Sequence, residues 1–155
     1  MGSSTSVFAA APERVFGVLE DPRSLAYFVV GSRNIRRFDP RWPELHTEVH
    51  HTVGLGPLAI RDTTEVVTVD APSLLVLDAR IRPLGALSVR FSIEQTSAGT
   101  TLTIEEHAVR GLLSWPSVRP VVDALLGWRN RWMGRRVQRL VDQRERQREI
   151  AHRHG

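Results

Sequence analysis

One stretch of about thirty residues near the C-terminus constrains the fold more than any other part of the chain. It runs from Ser117 to roughly Arg148, opens with Ser-Val-Arg-Pro and then contains no further proline. At about 100° per residue, ten apolar side chains fall on one broad face: Val118, Val121, Val122, Leu125, Leu126, Trp128, Trp132, Met133, Val137 and Leu140. A helix with one apolar face packs against a core. The stretch therefore predicts a long C-terminal helix with all ten of these residues facing inward.

Two arginines interrupt this apolar face, Arg129 and Arg136. A guanidinium in such a position must reach water along its stem or meet an acceptor. We expect the helix to close over a ligand cavity, with Arg129 pointing into it.

Between residues 32 and 108 the apolar period changes to two, which is typical of strands. Ser32–Phe38 and His46–Val53 are the first two predicted strands, and later alternating runs are separated by four turns. The turns are Gly54-Leu55-Gly56-Pro57, Ala71-Pro72-Ser73, Pro83-Leu84-Gly85 and Ser97-Ala98-Gly99-Thr100. Such regular spacing predicts an antiparallel meander with one buried face.

The first thirty residues predict a strand followed by two short helices. Ser4–Ala10 is β-prone, Pro12 suits the first turn of a helix, and Asp21-Pro22 starts a second helix that should stop at Gly31. The whole order predicts an α+β fold. In this fold a curved antiparallel sheet of about six to seven strands wraps around the long helix and leaves a cavity between them.

The length of 155 residues fits a single domain. We expect that domain to span residues 1–142, followed by an Arg-rich helix end and tail over 143–155. All 21 basic residues are arginine, and from Arg129 onward nine arginines face three acids. Oppositely charged neighbours at helical spacing favour a solvated helix end. A protein partner that binds this tail is the alternative.

Several classes of protein are disfavoured by what the sequence lacks. There is no cysteine, no apolar run long enough to cross a bilayer and no recognisable secretory signal. We therefore expect a cytoplasmic protein without a stable membrane anchor. No phosphate-binding glycine loop or nucleophile elbow occurs, and His50 and His51 should point to opposite faces of a strand, so neither a cofactor nor a metal is predicted. Nucleic-acid binding is not expected either, because Trp128 and Trp132 should face inward.

The candidate catalytic residues are the polar groups on the predicted inner face: His51, Asp62, Glu106 and, from the helix, Arg129. Buried carboxylates are costly unless they are paired, so Arg129 should be clamped by Glu106, by Asp62 or by both. Such a pair could hold a ligand carboxylate or an enolate oxygen. The alternative is an internal ion pair that only pins the helix to the sheet.

Histidine has a pKa suited to acid–base chemistry. Beside Asp62, His51 could abstract a proton next to a carbonyl, with Arg129 stabilising the enolate. A histidine that is simply hydrogen-bonded is the alternative.

The remaining candidate residues should line the cavity and bind an apolar ligand. Trp42 and the segment 112–116 lie on loops that could form its mouth or merely cover the sheet edge. The predicted ligand-binding residues are Tyr27, Trp42, Thr64, Leu77, Val89, Phe91, Ile104, Leu125, Trp132 and Met133.

Five groups of residues together resemble the SRPBCC superfamily of START-like, helix-grip proteins, and within it the polyketide cyclase/dehydrase and lipid-transport group. The resemblance covers nearly the whole chain. It rests on Ala10-Ala11-Pro12-Glu13-Arg14-Val15-Phe16, Asp21-Pro22, Asp39-Pro40-Arg41-Trp42-Pro43, His50-His51-Thr52-Val53-Gly54 with Arg61-Asp62-Thr63-Thr64-Glu65-Val66, and Trp128-Arg129-Asn130.

This resemblance implies that a hydrophobic ligand is held between sheet and helix, and it implies no single catalytic motif. Three hypotheses follow. The first is a protein that binds or transports a lipid or polyketide-like molecule. The second is a cofactor-free cyclase or dehydratase that works by proton transfer in the same cavity. The third is an interaction or toxin-like protein that acts through its Arg-rich end.

Overall fold

The computed structural model describes residues 2–29, 32–55 and 57–154. Its strands are β1 (Gly2–Phe8), β2 (Ser32–Phe38), β3 (Glu48–Leu55), β4 (Leu58–Asp70), β5 (Leu74–Ile81), β6 (Gly85–Thr96) and β7 (Gly99–Gly111). Its helices are α1 (Pro12–Leu19), α2 (Pro22–Phe28), α3 (Arg119–Arg153) and a single 3-10 turn at Leu112–Ser114.

The strands form one antiparallel sheet in the order β1-β7-β6-β5-β4-β3-β2. From β2 to β7 each strand pairs with the next along the chain, and β1 returns to pair with β7. The predicted α+β architecture is confirmed, with two short helices after the first strand and a long helix at the end. The predicted stop at Gly31 and the central glycine of the first turn, Gly56, lie outside the described residues.

The core lies where α1, α2 and α3 cover one face of the sheet. Alternate residues of β4 to β7 point into it, as a period of two requires, and Phe28 of α2 meets Phe91 edge to face at 6.2 Å between ring centroids. The buried apolar side chains of the sheet include Val49, Val66, Leu75, Leu77, Val89, Phe91, Ile93, Leu102 and Ile104.

The inward face of α3 is narrower than the sequence predicts. Its buried residues are Leu126, Asn130, Met133, Gly134, Val137 and Val141. The prediction that all ten apolar residues face inward is wrong for five of them, Val118, Val121, Leu125, Trp128 and Trp132, which are 38–63% exposed. We call these five residues the outer stripe. Helix α3 contacts chiefly β1 and β7, so the sheet covers only part of its broad apolar face. The periodic pattern of apolar residues does not show which side of this face stays exposed.

The C-terminal third of α3 is joined to the two short helices by hydrogen bonds and an ion pair. Arg144 donates hydrogen bonds to the carbonyl oxygen of Gly17 at 2.8 Å, to Oδ2 of Asp21 at 2.6 Å and to Oγ of Ser24 at 3.1 Å. Arg14 pairs with Glu145 at 3.1 Å. The Arg-rich end is therefore helical to Arg153 and contacts α1 and α2. The division of the chain at residue 142 and the partner role of this end stay predictions.

Candidate functional site: a buried polar cluster beneath the long helix

Four buried polar side chains lie on the covered face of the sheet, where the alternation of side chains along each strand directs them inward. His51 comes from β3, Asp62 and Thr64 from β4, and Glu106 from β7, and none of them is more than 4% exposed. His51 and Asp62 are direct partners across the β3–β4 ladder. Asn130 of α3 is also fully buried. We call His51, Asp62, Thr64, Glu106 and Arg129 the buried polar cluster.

Arg129 closes the cluster from the helix side. Its Nη1 donates to Oε1 of Glu106 at 2.8 Å, while the guanidinium keeps 21% of its side chain exposed. The predicted clamp by a carboxylate is therefore present with Glu106. The charge of Arg129 also acts on the pKa of both His51 and Asp62, lowering each of them.

His51 does not bond directly to Asp62. Its Nε2 lies 2.9 Å from Oγ1 of Thr64 and 3.9 Å from Oδ2 of Asp62, too far for a hydrogen bond. Asp62 instead accepts the backbone N–H of Thr63 through Oδ1 at 2.6 Å. Asp62 thus has one strong donor for two carboxylate oxygens.

Burial shifts the pKa values of His51 and Asp62 in opposite directions, because it favours the neutral form of each group. Desolvation, helped by the charge of Arg129, lowers the pKa of His51 to about 4. Desolvation raises the pKa of Asp62 to about 6, although the Thr63 N–H and Arg129 both oppose that rise. At neutral pH His51 is therefore neutral and its contact with Asp62 is not an ion pair. Asp62 is mostly ionised and is the stronger base of the two.

The pKa of Glu106 is also raised by burial, and Arg129 counteracts only part of this effect. One carboxylate oxygen of Glu106, Oε2, has no hydrogen-bond partner among the described residues, and the same holds for Nδ1 of His51 and Oδ1 of Asn130. A buried polar atom left without a partner costs roughly 1–3 kcal/mol. Unpaired groups from three elements thus share the covered face of the sheet.

The other predicted ligand-binding residues separate into two sets. Six are buried and line the covered face or its margin: Trp42, Leu77, Val89, Phe91, Ile104 and Met133. Three are outside it, because Leu125 and Trp132 belong to the outer stripe and Tyr27 is 44% exposed. The Tyr27 ring lies beneath Arg136, whose Nη1 donates to the Tyr27 carbonyl at 2.9 Å. The expected inward orientation of Leu125 and Trp132 is wrong, whereas a ligand-binding role for any of these residues stays a prediction.

Sequence reasoning assigned no role to Asn130, although it lies one residue from Arg129. Its Nδ2 donates to the carbonyl of Gly2 at 2.9 Å and ties α3 to the edge strand β1. An asparagine at an inward position of an otherwise apolar helix is the signal that could have found it.

The described residues contain no group of three or more His, Asp or Glu side chains placed to hold a metal ion. Among the helices in the same part of the chain, none is long and apolar enough to cross a membrane.

Comparison with known proteins gives likeness of structure only. No protein-family model matches the chain, and no curated protein sequence matches it. Among solved structures, a protein from Chromobacterium violaceum is 17% identical, with a TM-score of 0.64 over 89% of this chain and 94% of its own. A protein of unknown function from Staphylococcus aureus is 7% identical, with a TM-score of 0.71 over 93% and 94%.

A third similar structure is the di-domain ARO/CYC StfQ from the steffimycin biosynthetic pathway. It is 14% identical with a TM-score of 0.70, and the match covers 92% of this chain but 51% of that one. Identities this low show a shared fold. This chain therefore has the helix-grip-like α+β fold of these proteins, and a shared fold does not by itself indicate a shared function.

Proposed function

We propose that this protein binds a hydrophobic small molecule carrying a carbonyl or carboxylate oxygen, between the sheet and α3. The apolar part of the ligand would contact Leu77, Val89, Phe91 and Met133, and its oxygen would accept from Arg129. Binding sites of this kind combine an apolar lining with a few placed polar groups.

The observation that carries this proposal is the set of unpaired polar atoms in the buried polar cluster. Nδ1 of His51 and Oε2 of Glu106 lack partners among the described residues, and Asp62 is held at a raised pKa by burial. A core built only for stability would replace such groups by apolar ones. Strongly perturbed titratable groups cluster at functional sites, and a ligand would supply the missing partners.

A fluorescence titration with 1-anilinonaphthalene-8-sulfonate tests the proposal, because this probe joins apolar rings to an anionic group. We expect the native protein to bind it with enhanced emission, and Arg129→Met to weaken binding at least tenfold. Arg131→Met is the matched control, since Arg131 is exposed on the same helix, and it should bind normally.

Two further variants make this titration decisive. Arg129→Met/Glu106→Gln restores the charge balance if the single variant is poorly folded, and it should remain weak in binding. Trp128→Ser removes apolar surface from the outer stripe and should leave binding unchanged. Normal binding by both Arg129 variants, or loss of binding in Trp128→Ser, would contradict an internal site.

A second candidate function is proton-transfer catalysis at the same site, as in a cyclase, the activity that the name of StfQ includes. It is favoured by Asp62, whose pKa of about 6 suits a general base and which lies across the β3–β4 ladder from neutral His51. These values favour Asp62 over His51 as the group that abstracts a proton next to a carbonyl. Arg129 would stabilise the resulting enolate oxygen.

Exchange of the α-protons of a β-keto thioester in D2O, followed by NMR, tests this activity. We expect acceleration by the native protein that rises with pH through about 6, as Asp62 ionises. Asp62→Asn should lose roughly 10²- to 10⁴-fold of it. An unchanged exchange rate in Asp62→Asn would exclude Asp62 as the base. If the native protein binds the fluorescent probe but does not accelerate exchange, the catalytic proposal is wrong and the binding proposal alone remains.

A further inference from the structure

A second set of chemically active side chains lies on the opposite face of the sheet, away from α3. Here a concavity of about 230 Å³ is lined by Arg36, His50, Arg61, Thr63, Arg80 and Arg82. Four of its six lining residues are arginines, and one further residue is a histidine. We call this concavity the outer basic site. It shares no side chain with the buried polar cluster.

The strand register brings these residues together. Thr63 of β4 is paired with His50 of β3 on one side and with Arg80 of β5 on the other. Arg61 precedes Thr63 by two residues and so lies on the same face of β4. Arg82 follows Arg80 by two residues, just beyond the end of β5. The positively charged groups of neighbouring strands therefore face one another.

The nearby carboxylates neutralise only part of this charge. Glu65 accepts from Arg80 at 2.7 Å, and Glu48 lies 3.3 Å from Nε2 of His50 and 4.0 Å from Arg80. Among the described residues, the guanidinium of Arg36 contacts only backbone carbonyl oxygens, at 3.4 and 3.5 Å. Asp78, which pairs with Glu65 across the β4–β5 ladder, adds a third carboxylate to this face of the sheet, so three carboxylates face four guanidinium groups.

Arg61 and Arg82 are the two remaining arginines of the outer basic site. Neither side chain makes an ion pair or a hydrogen bond in the described part of the chain, and both residues are exposed. Like charges on adjacent strands destabilise a sheet, and an anion bound between them would remove that repulsion.

We propose that the outer basic site binds a phosphate group, free or carried by a small molecule. Guanidinium groups present planar pairs of N–H donors that match phosphate oxygens. The hydroxyl of Thr63, which also lines the concavity, lies 3.2 Å from Nδ1 of His50. The volume fits a mono- or diphosphate rather than a folded polymer. Arg61 and Arg82 are the principal ligands, with Arg36 and Arg80 completing the positive wall.

A neighbouring concavity could hold the organic group of a phosphate ester. It measures about 430 Å³, shares Arg36 with the outer basic site and is lined further by Arg23, Ile35, Arg37 and Phe38. Its mixture of apolar and cationic side chains suits an organic group attached to the phosphate. We therefore expect an aromatic phosphate ester to bind more tightly than inorganic phosphate.

Isothermal titration of the full chain with inorganic phosphate, pyrophosphate and phenyl phosphate tests the proposal. We expect one-to-one binding of at least one of these three anions, weakened at least tenfold in Arg61→Gln/Arg82→Gln. The matched control is Arg110→Gln/Arg131→Gln, which removes the same charge from exposed positions elsewhere and should bind normally. The thermal unfolding midpoint of each variant checks its folding, and the single variants Arg61→Gln and Arg82→Gln should each weaken binding if the double variant unfolds.

Two results would overturn the outer basic site. One is the absence of binding by all three anions in the native protein. The other is an equal loss of affinity in both double variants, which would show attraction by net charge alone. Both results leave the internal ligand site untouched, because none of the substituted residues belongs to the buried polar cluster.

Discussion

At the scale of single residues, the most informative feature is a buried carboxylate that has no cation bonded to it among the described residues. Asp62 is 3% exposed and accepts one backbone N–H. Its position follows from strand parity, which also carried His51, Thr64 and Glu106 inward as expected. The hydrogen bonds among these side chains could not be predicted from the alternation of residues along the strands. Asp62 is the ladder partner of His51 but lies beyond hydrogen-bond distance of it, whereas Thr64 lies within that distance.

The ionisation of Asp62 makes stability depend on pH. Burial raises the folded-state pKa of Asp62 from 3.8 to about 6. The resulting contribution to the free energy of unfolding is therefore fully present below pH 3.8, the pKa in the unfolded chain. It is lost as the pH rises through about 6, where Asp62 ionises in the folded protein. The loss at neutral pH is roughly 3 kcal/mol. Asp62→Asn should therefore unfold at higher urea concentration than the native protein at pH 8, with the difference shrinking toward pH 4.

His51 titrates over the same range with the opposite sign. Its folded-state pKa of about 4 lies below the ordinary 6.5, so stability is lost as pH falls from 6.5 toward 4. In Asp62→Asn this loss is no longer offset by the titration of Asp62. Asp78→Asn, which removes a half-buried carboxyl from the outer face of β5, is the matched control for the loss of an aspartate outside the buried polar cluster. A difference between native and Asp62→Asn that is the same at pH 4 and pH 8 would refute the raised pKa of Asp62.

The Arg129–Glu106 pair gives a second prediction at this scale. Removing one partner of a buried pair costs roughly 3–5 kcal/mol because the other charge stays buried. Without Arg129 the pKa of Glu106 should rise further, so the loss in Arg129→Met should grow from pH 6 to pH 8. Glu106→Gln added to Arg129→Met should recover most of it. Urea unfolding at the two pH values measures this, and an undiminished stability of Arg129→Met would show that the pair is not buried as described.

At the scale of elements, α3 shows what periodicity can and cannot predict. The apolar pattern predicted a long helix, and the helix is there. It did not predict which flank is covered, since the outer stripe and the buried row are both apolar and both at helical spacing. Contact with β1 and β7 decides between them, and this information lies in the tertiary structure. The outer stripe pairs Trp128 with Trp132, whose ring centroids are 5.9 Å apart.

The two flanks of α3 should therefore differ in their contribution to stability. Met133 is 1% exposed, and Met133→Ala should lower the free energy of unfolding by roughly 2–5 kcal/mol through loss of packing. Trp128 is 50% exposed, and Trp128→Ala should lower it by less, about 0.5–1.5 kcal/mol, through loss of the contact with Trp132. Urea denaturation of both variants checks the orientation of the helix. A larger loss for Trp128→Ala than for Met133→Ala would mean that α3 is turned the other way.

At the scale of the whole molecule, the sequence predicts the architecture better than it predicts the sites. Alternation and turn residues predict the meander, and the two short helices follow from their prolines. The outer basic site was not predicted, because Arg36, Arg61, Arg80 and Arg82 look like ordinary solvent-facing positions until the register aligns them. Asn130 was missed for a similar reason: its role depends on Gly2, which is distant in sequence.

The central claim is that the buried polar cluster serves a bound molecule. Native mass spectrometry of gently purified protein, followed by organic extraction, tests it most directly. We predict one apolar molecule bound per chain, released on denaturation, with lower occupancy in Arg129→Met and normal occupancy in Arg131→Met. A protein that remains unliganded, even after incubation with an organic extract of the producing cells, would contradict the claim.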